Sequence, residues 1–499
     1  MATPNAVTII WFRRDLRLDD NPAVAAAVGR GAVVPVFIWA PEEESPWTPG
    51  AASRWWLHNS LAGLGAAVER AGATLIIRRG PTLDALRKVA VEYGATHVVW
   101  NRLYEPAAVA RDTAIKQALV GDGMDVESFN GGLLFEPARV ATQEGRPYQV
   151  FTPFWRALLA RDEPAEPRPA PRRLVAAAPR RAGGGRGLTP ASLELLPRIG
   201  WAKTMESTWK PGESAAAKQL ATFIGRGLTD YGTDRDRPDR EGTSSLSPHL
   251  HFGELSPRRV WHAVRAAAGG RPAARLSGGA EVFLREIGWR EFAAHLLHHF
   301  PHTTDAPLRA DYARFPWRDD PVGLRAWQRG LTGFPVVDAG MRQLWATGWM
   351  HNRVRMIVAS FLVKDLRVSW LEGARWFWDT LVDADIAANT LGWQWAAGCG
   401  ADAAPYFRIF NPTSQGTKFD PDGGYVRRWV PELARLAAAD IHEPAAAGAA
   451  RLAAAGVSLG TTYPEPIVDH AEARRLALEA LAEVTRGKKA TSSARRRPS

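Results

Sequence analysis

The 499 residues exceed what one hydrophobic core organises and imply two or three domains, while 46% hydrophobic and 23% charged residues is ordinary globular composition. Lysine and arginine outnumber acidic residues 63 to 52, and the resulting +11 with a pI near 10.0 favours a polyanionic partner, nucleic acid before membrane. The lone Cys399 excludes an internal disulfide framework and fits a reducing cytoplasm; no apolar stretch reaches bilayer-spanning length, and the first residues lack the pattern of a signal peptide.

Along residues 1–135, "AVTIIWF", "GAVVPVFIW", "ATLIIRRG" and "ATHVVWN" read as short strands, and "MDVESF" adds another. Alanine-rich amphipathic segments such as "SRWWLHNSLAGLGAAVERA" lie between them, a rhythm that predicts βαβ units around a parallel sheet. No GxGxxG follows the first strand, so an ordinary dinucleotide fingerprint is absent. Residues 136–210 include the Pro, Arg, Ala and Gly-rich "RDEPAEPRPAPRRLVAAAPRRAGGGRG", a linker or long surface connection. Residues 211–485 carry helical runs without strand signals and predict an all-helical domain, closed by "DHAEARRLALEALAEVT". The remaining residues 486–499 form a basic tail expected to be disordered, which holds six of the positive charges and leaves the body only mildly basic. The fold class expected is thus α/β plus all-α.

Four features of the helical half carry chemistry. In "TDYGTDRDRPDREGTSSLSPHL", hydroxyls and glycine precede helical sequence and suit phosphate oxygens, though a capped loop explains them equally well. "FLREIGWREF" sets Phe283, Glu286 and Arg290 at helical spacings with Trp289 beside them, a surface able to stack on and hydrogen-bond a base. "TGWMHNRVRM" brings Asn352, Arg355 and Met356 within one turn, with Arg353 directed elsewhere, and suits phosphates and a ring edge. "LVDADIAANTLGWQW" groups Asp383, Asp385 and Asn389; paired carboxylates suggest acid-base work or a metal, and ion pairs to the many arginines are the simpler alternative. The histidines of "HLLHHFPH" (His295, His298, His299, His302) are spaced like ligands, but packed or solvated histidines are the expected reading. The 21 tryptophans serve core packing and, in close succession, one-electron chemistry.

Ordered motifs then make the case specific. "WFRRDLRLDDNPA", "VFTPFWRA", "EGTSSLSPHLHFGELSP", "GFPVVDAGMRQLWATGWMHNRVRM", "ASFLVKDL" and "DADIAANTLGWQWAAGCGADAAPYFRIFNPTSQGTKFD" resemble the DNA photolyase and cryptochrome family over nearly the whole chain. The resemblance implies an N-terminal Rossmann-like α/β antenna domain and a C-terminal helical domain holding FAD in a U shape. It implies that Tyr231, Thr243, Ser244, Ser245, Leu246 and Ser247 hold the FAD phosphates, and that Phe283 fills an aromatic position usually occupied by tryptophan. Asp383 and Asp385 would flank the ribityl and flavin region, Arg355 would pair near the ring, and Asn389 would face flavin N5. Trp393 would point to the flavin and begin a relay through Trp370 to Trp317. Trp395 would point the other way and, with Trp289, clasp damaged pyrimidines. Trp345 and Trp376 are expected as buried packing, with a branch of the relay as the alternative.

The activity implied is light-driven repair of cyclobutane pyrimidine dimers in UV-damaged DNA. Glu286 would hydrogen-bond the dimer, Arg290, Asn352 and Met356 would line its cavity, and Arg235, Arg353 and Gln415 would hold the strand. "VFIWAPEEE", "PGAASRWWL" and "LYEP" resemble plant cryptochromes and class III photolyases, so a blue-light receptor is the main alternative. Asn389 and Asn352, where plant cryptochromes usually carry aspartate, favour repair. His351-Asn352, where the (6-4) branch tends to show a histidine pair, sets that branch further behind. A nucleotide-binding α/β protein with a helical partner domain is the reading without the resemblance. The implied antenna chromophore is methenyltetrahydrofolate, with 8-hydroxy-deazaflavin or none as alternatives; after "LYEP" this chain has Ala107-Ala108 where folate-binding bacterial enzymes often show Asn-Glu. A cytoplasmic, nucleoid-associated monomer is expected.

Overall fold

A computed structural model describes residues 6–180, 187–402 and 408–494, with side chains followed to residue 486. The described chain falls into two compact units, one of Met1–Gly232, Ser244–Pro301 and Val382–Ile386, the other of Thr233–Thr243, His302–Leu381 and Ala387–Ser499.

The first unit is organised by a five-stranded sheet. Strands β1 (Ala6–Phe12), β2 (Gly31–Trp39), β3 (Ile76–Arg79), β4 (His97–Asn101) and β5 (Asp125–Phe129) are all parallel in the order β3-β2-β1-β4-β5. Near-continuous apolar runs such as "VTIIWF" suit strands covered on both faces. Helices α1 (Pro22–Val28), α2 (Ala51–Arg70), α3 (Thr82–Tyr93) and α4 (Pro106–Gly121) make the crossovers. One core cluster joins Ile9, Trp11, Val36, Leu86, Val89, Val98, Trp100 and Leu119. Asn21 caps α1 by accepting from the Val24 amide at 3.2 Å.

The Pro- and Arg-rich connection is laid along this sheet domain. Leu174 donates its amide to the Ala71 carbonyl at 2.7 Å, Ala177 to Val33 at 3.1 Å and Leu188 to Ile77 at 2.9 Å. Of the expected linker, residues 181–186 lie outside the described residues. Buried carboxylates bind the sheet segment to the helical segment of the same unit. Asp20, 1% exposed, takes a bidentate pair from Arg258 at 2.9 and 3.1 Å and a bond from the Ser256 hydroxyl. Glu254 accepts from the Trp56 indole at 3.0 Å and the Gly212 amide at 2.8 Å.

Glu291 and His295, one turn apart on the helix Gly278–His299, form a compensated pair. Glu291 accepts from the amides of Leu134 and Phe135 at 3.0 and 3.2 Å, yet its full burial pushes the carboxyl up to about 7. His295 accepts from the Tyr148 amide at 3.0 Å, and burial pushes its imidazole down to about 4. The signs oppose. Above an unfolded pKa near 4.5 the folded state holds the Glu291 proton and the unfolded state does not, so stability falls as pH rises towards 7. Between 4 and 6.5 the unfolded state binds the histidine proton that the folded state refuses, so stability rises with pH. The wild-type melting temperature should therefore vary little between about pH 5 and 6.5 on account of this pair. In Glu291→Gln the histidine acts alone, and the melting temperature should rise as pH rises through that window; a flat profile in the variant contradicts the assignment.

The second unit is helical. Its helices Pro321–Arg329, Pro335–Thr347, Asn352–Ser360 and Trp370–Thr380 are followed by the helix begun at Ile386, which runs to Ala397. Helix Asn352–Ser360 continues into one π-helical turn, Phe361–Asp365, inside the run "ASFLVKDL". The last helix, His470–Ala494, extends into the segment expected as a tail. No described helix is long and apolar enough to cross a membrane.

Candidate active site

In the first unit the hydroxyl segment begins beside an aromatic cluster. Tyr231, Phe223 and Phe283 pack edge-on or tilted at centroid distances of 4.5 to 5.5 Å, and Phe283 is buried among them. Thr243, the last residue of a stretch belonging to the second unit, is half-buried; where the first unit resumes, Ser244 and Ser245 are half-buried, Leu246 is buried and Ser247 is exposed as the first residue of a short helix. Ser245 has φ +53°, a left-handed conformation costly to a residue with a Cβ and concentrated at functional sites. The Gln219 amide holds the Ser244 carbonyl at 2.9 Å. The Ser244 hydroxyl accepts from the Leu246 amide at 3.4 Å within the same strained turn.

Helix Gly278–His299 carries Glu286, Trp289 and Arg290. A Cβ at Gly288 would lie 2.5 Å from the Trp155 ring, so glycine is what allows this helix so close to it. Trp289 stacks on Phe151 at 3.8 Å and 8° and meets Phe292 edge-on at 5.8 Å, which clamps one indole face. Glu286 is half-buried on the same helix. Arg290 turns to the Gly132 carbonyl at 2.7 Å and lies 3.7 Å from Glu291, so its guanidinium is engaged by the protein. Asp383 is buried, and Asp385, half-buried, lies 3.7 Å from the His251 ring.

In the second unit, the start of helix Asn352–Ser360 presents the next group. His351 caps it through Nδ1, which accepts from the Arg353 amide at 3.2 Å. Burial holds this imidazole down to about 4, so it stays neutral and keeps its acceptor at working pH. Asn352 is exposed and Met356 half-buried. Arg353 pairs with Asp236 at 2.9 Å, lies 4.4 Å over the Phe419 ring and comes within 3.8 Å of the Met356 sulfur. Arg355 donates to the Met350 carbonyl at 2.7 Å. Arg235 is half-buried, and Gln415 is half-buried on helix Pro412–Phe419, capped by Asn411.

The remaining group lies on and around the helix Ile386–Ala397. Asn389 and Trp393, four apart, share a face; Trp395 does not. The Asn389 Nδ2 donates to the Ala374 carbonyl at 3.0 Å, which fixes the amide orientation, and Oδ1 is left buried without a donor among the described residues. Trp393 is buried, packed edge-on against Phe377 at 5.0 Å and Trp327 at 6.1 Å. Trp395, half-buried, pairs with Phe410 at 6.3 Å. Trp370 is buried at the start of its helix, and Trp317 is half-buried beside Phe315 at 4.4 Å. Trp345 corrects an expectation. It is 48% exposed and stacks on Trp376 at 5.9 Å and 6°, a surface pair where buried packing was expected, because position 345 falls on the outer side of helix Pro335–Thr347.

Sequence reasoning missed Phe151, Asp236 and the cap His351. Phe151 stood in a recognised motif, yet only the fold brings it under Trp289. Asp236 had no signal beyond a charged run, and histidine is outside the usual capping residues.

A doubly wound α/β domain followed by a helical half bearing tryptophans and a buried unpaired amide oxygen defines a photolyase or cryptochrome type of protein. The family model described as "DNA photolyase" matches residues 8–172, and that described as "FAD binding domain of DNA photolyase" matches residues 283–483. The chain belongs to the DNA photolyase family, and its helical half is an FAD-binding domain. It is 50% identical to a deoxyribodipyrimidine photo-lyase of Agrobacterium fabrum, over 97% of this chain and 99% of that one. It is 43% identical to cryptochrome-1 of Arabidopsis thaliana, over 96% of this chain and 70% of that one. The solved structure of a bacterial class III photolyase from Agrobacterium tumefaciens is similar at a TM-score of 0.91 and 48% identity, covering 97% of this chain and 99% of that one.

Proposed function

We propose that this chain is a deoxyribodipyrimidine photo-lyase that splits cyclobutane pyrimidine dimers in UV-damaged DNA under light, acting as a cytoplasmic monomer. The observation that carries the reading is the Asn389 amide, whose Nδ2 is committed to Ala374 while its buried Oδ1 has no donor among the described residues. A buried acceptor left open calls for an N–H from outside the protein. The central nitrogen of a reduced isoalloxazine offers one, and an amide, unlike an acid, has no proton to give it. When bound and reduced, FAD supplies a light-excited electron to the dimer and recovers it after the two cyclobutane carbon-carbon bonds break, so the net reaction consumes only light.

The chain's own residues would do the rest. Tyr231 and Thr243–Ser247 hold the cofactor phosphates, with Phe283, Arg355, Asp383 and Asp385 around the remainder. Trp317, Trp370 and Trp393 pass electrons inward from the surface. Trp289, its back face set by Phe151, and Trp395 clasp the lesion, with Asn352 and Met356 lining the cavity. Arg235, Arg353 and Gln415 steady the strand, and Arg290, seated on the Gly132 carbonyl, contacts the lesion. Extrusion of the target base is the strategy of photolyases as a class, and a dimer that stacks poorly lowers its cost. The antenna chromophore we assign is methenyltetrahydrofolate, held otherwise than through positions 107 and 108, where Ala107 and the buried Ala108 offer no hydrogen-bonding side chain. The absorption spectrum of the purified protein distinguishes it from a deazaflavin.

The reading is tested by illuminating reduced protein with dimer-containing DNA and measuring restored thymines. No repair, with light-driven reduction of the cofactor intact, assigns the chain to the blue-light receptors that its 43% identity to a cryptochrome keeps in view. In this reading Glu286 hydrogen-bonds the dimer and stabilises the charge it carries while its bonds break, an electrostatic role. Glu286→Ala should slow repair about tenfold or more, roughly 1.4 kcal/mol of transition-state stabilisation, while the dissociation constant for dimer DNA moves less than about threefold. Equal losses in affinity and turnover would make Glu286 a contact residue only.

A further inference from the structure

Between the two indoles of "WQW" lies a side chain that neither relays electrons nor touches the lesion. Gln394 is 2% exposed. Its Nε2 donates to the carbonyls of Thr303 and Ala306, both at 2.8 Å, and its Oε1 accepts from the Leu308 amide at 2.9 Å. Both amide hydrogens are used, and the pattern admits only one orientation of the group. The Gln394 backbone carbonyl is equally committed, receiving the amides of Gly398, Cys399 and Gly400 at 3.0 to 3.1 Å. Lys364, buried within the π-helical turn, donates to the Ala397 carbonyl at 3.0 Å and closes the end of the same helix. The helix is thus fixed in rotation at position 394 and along its axis at its C-terminus.

Successive helical residues are about 100° apart, so the direction of one residue sets those of its neighbours. Fixing Gln394 fixes Trp393, with Asn389 on its face, to one side and Trp395 to the other. We propose that Gln394 is the positioning residue that sets the roll of helix Ile386–Ala397, and through it the opposed directions of Trp393 and Trp395. The proposal rests on the reading above that one indole serves the cofactor and the other the lesion. A roll of about 10° would carry an indole tip about 7 Å from the helix axis sideways by roughly 1 Å. Misplacement on that scale costs on the order of 10²-fold in a reaction that depends on alignment.

Two variants of the full-length holoprotein test this. Gln394→Met keeps the length and removes every side-chain hydrogen bond. Gln394→Glu, neutral when buried, restores one donor and one acceptor. In protein labelled with nitrogen-15 at tryptophan, the indole cross-peaks of Trp393 and Trp395 are identified by their loss in Trp393→Phe and Trp395→Phe. In Gln394→Met both cross-peaks should shift, and light-driven reduction and repair by chemically reduced protein should each fall about tenfold or more at unchanged FAD content. Gln394→Glu should fall between this variant and wild type in all three readouts, and it serves alone if the methionine variant does not fold. Unmoved cross-peaks with both rates retained, whatever the melting temperature, would overturn the proposal. The single tryptophan variants separate the two levels: if they lose neither activity, the functional assignment of the indoles fails, while shifted cross-peaks still uphold the role of Gln394 in orienting them.

Discussion

Trp393→Phe should abolish light-driven reduction of the bound oxidised cofactor, slowing it by about two orders of magnitude or more, roughly 3 kcal/mol of barrier. Repair by chemically reduced protein should stay within about twofold of wild type. The separation follows from what each ring can do. Phenylalanine retains the apolar packing against Phe377 and Trp327, but its ring gives up an electron far less readily than an indole. The site is built around the larger ring: a Cβ at Gly373 would lie 2.1 Å from the tip of Trp393, so only glycine admits the indole there. The indole nitrogen finds no acceptor among the described residues, so the substitution breaks no hydrogen bond there and leaves a small void costing about 1 to 2 kcal/mol. Absorbance of the oxidised flavin under blue light with an external thiol measures the first quantity, and thymine release after chemical reduction measures the second. Loss of both would mean that Trp393 holds the cofactor in place and would remove it from the relay.

The sheet domain was legible because its strands are short apolar runs at regular spacing, each followed by an amphipathic helix, and few arrangements other than a parallel sheet satisfy that pattern. The π-helical turn at Phe361–Asp365 was not. "VRMIVASFLVKDL" reads as unbroken helix, and nothing local announces that Lys364 and Asp365 are both buried. Their partners lie far along the chain: Lys364 meets Ala397, and Asp365 pairs with the His470 ring at 2.5 Å. The site divides in the same way. Which residue types gather in "FLREIGWREF" or "WMHNRVRM" follows from helical spacing and from the resemblance, but what each side chain leans on does not. Trp289 stacks on Phe151, Arg290 on the Gly132 carbonyl and Arg353 on Asp236, contacts separated by more than a hundred residues that no periodicity encodes. Trp345 shows the converse limit, since apolar character implied burial and the residue instead lies stacked at the surface.

The largest effect on stability is expected at Asp338, in the first turn of helix Pro335–Thr347. Fully buried, it accepts from the Thr332 amide and hydroxyl, both at 2.7 Å, from the Gly333 amide at 3.1 Å and from the Tyr463 hydroxyl at 2.6 Å. Burial raises its carboxyl above the usual range even though the Thr332 and Tyr463 donors and Arg342 pull the other way, so desolvation is the dominant influence on the site. Asp338→Ala removes the acceptor and leaves several buried donors unsatisfied, which should cost about 4 kcal/mol in unfolding free energy. Asp338→Asn keeps one acceptor but turns N–H groups towards the Gly333 amide, and should cost about half as much. Tyr463→Phe removes a single donor and should cost about 1 to 1.5 kcal/mol. The helix also carries Gln343, whose Oε1 accepts from the Tyr425 hydroxyl at 2.7 Å and lies 3.4 Å from the His351 amide, so loosening its start reaches the capped turn that presents Asn352. Urea denaturation of the three variants should therefore rank them alanine, asparagine, phenylalanine in decreasing damage, with dimer-DNA affinity weakening in the same order. An alanine variant within about 1 kcal/mol of wild type would show that water satisfies these donors and that Asp338 is no hub.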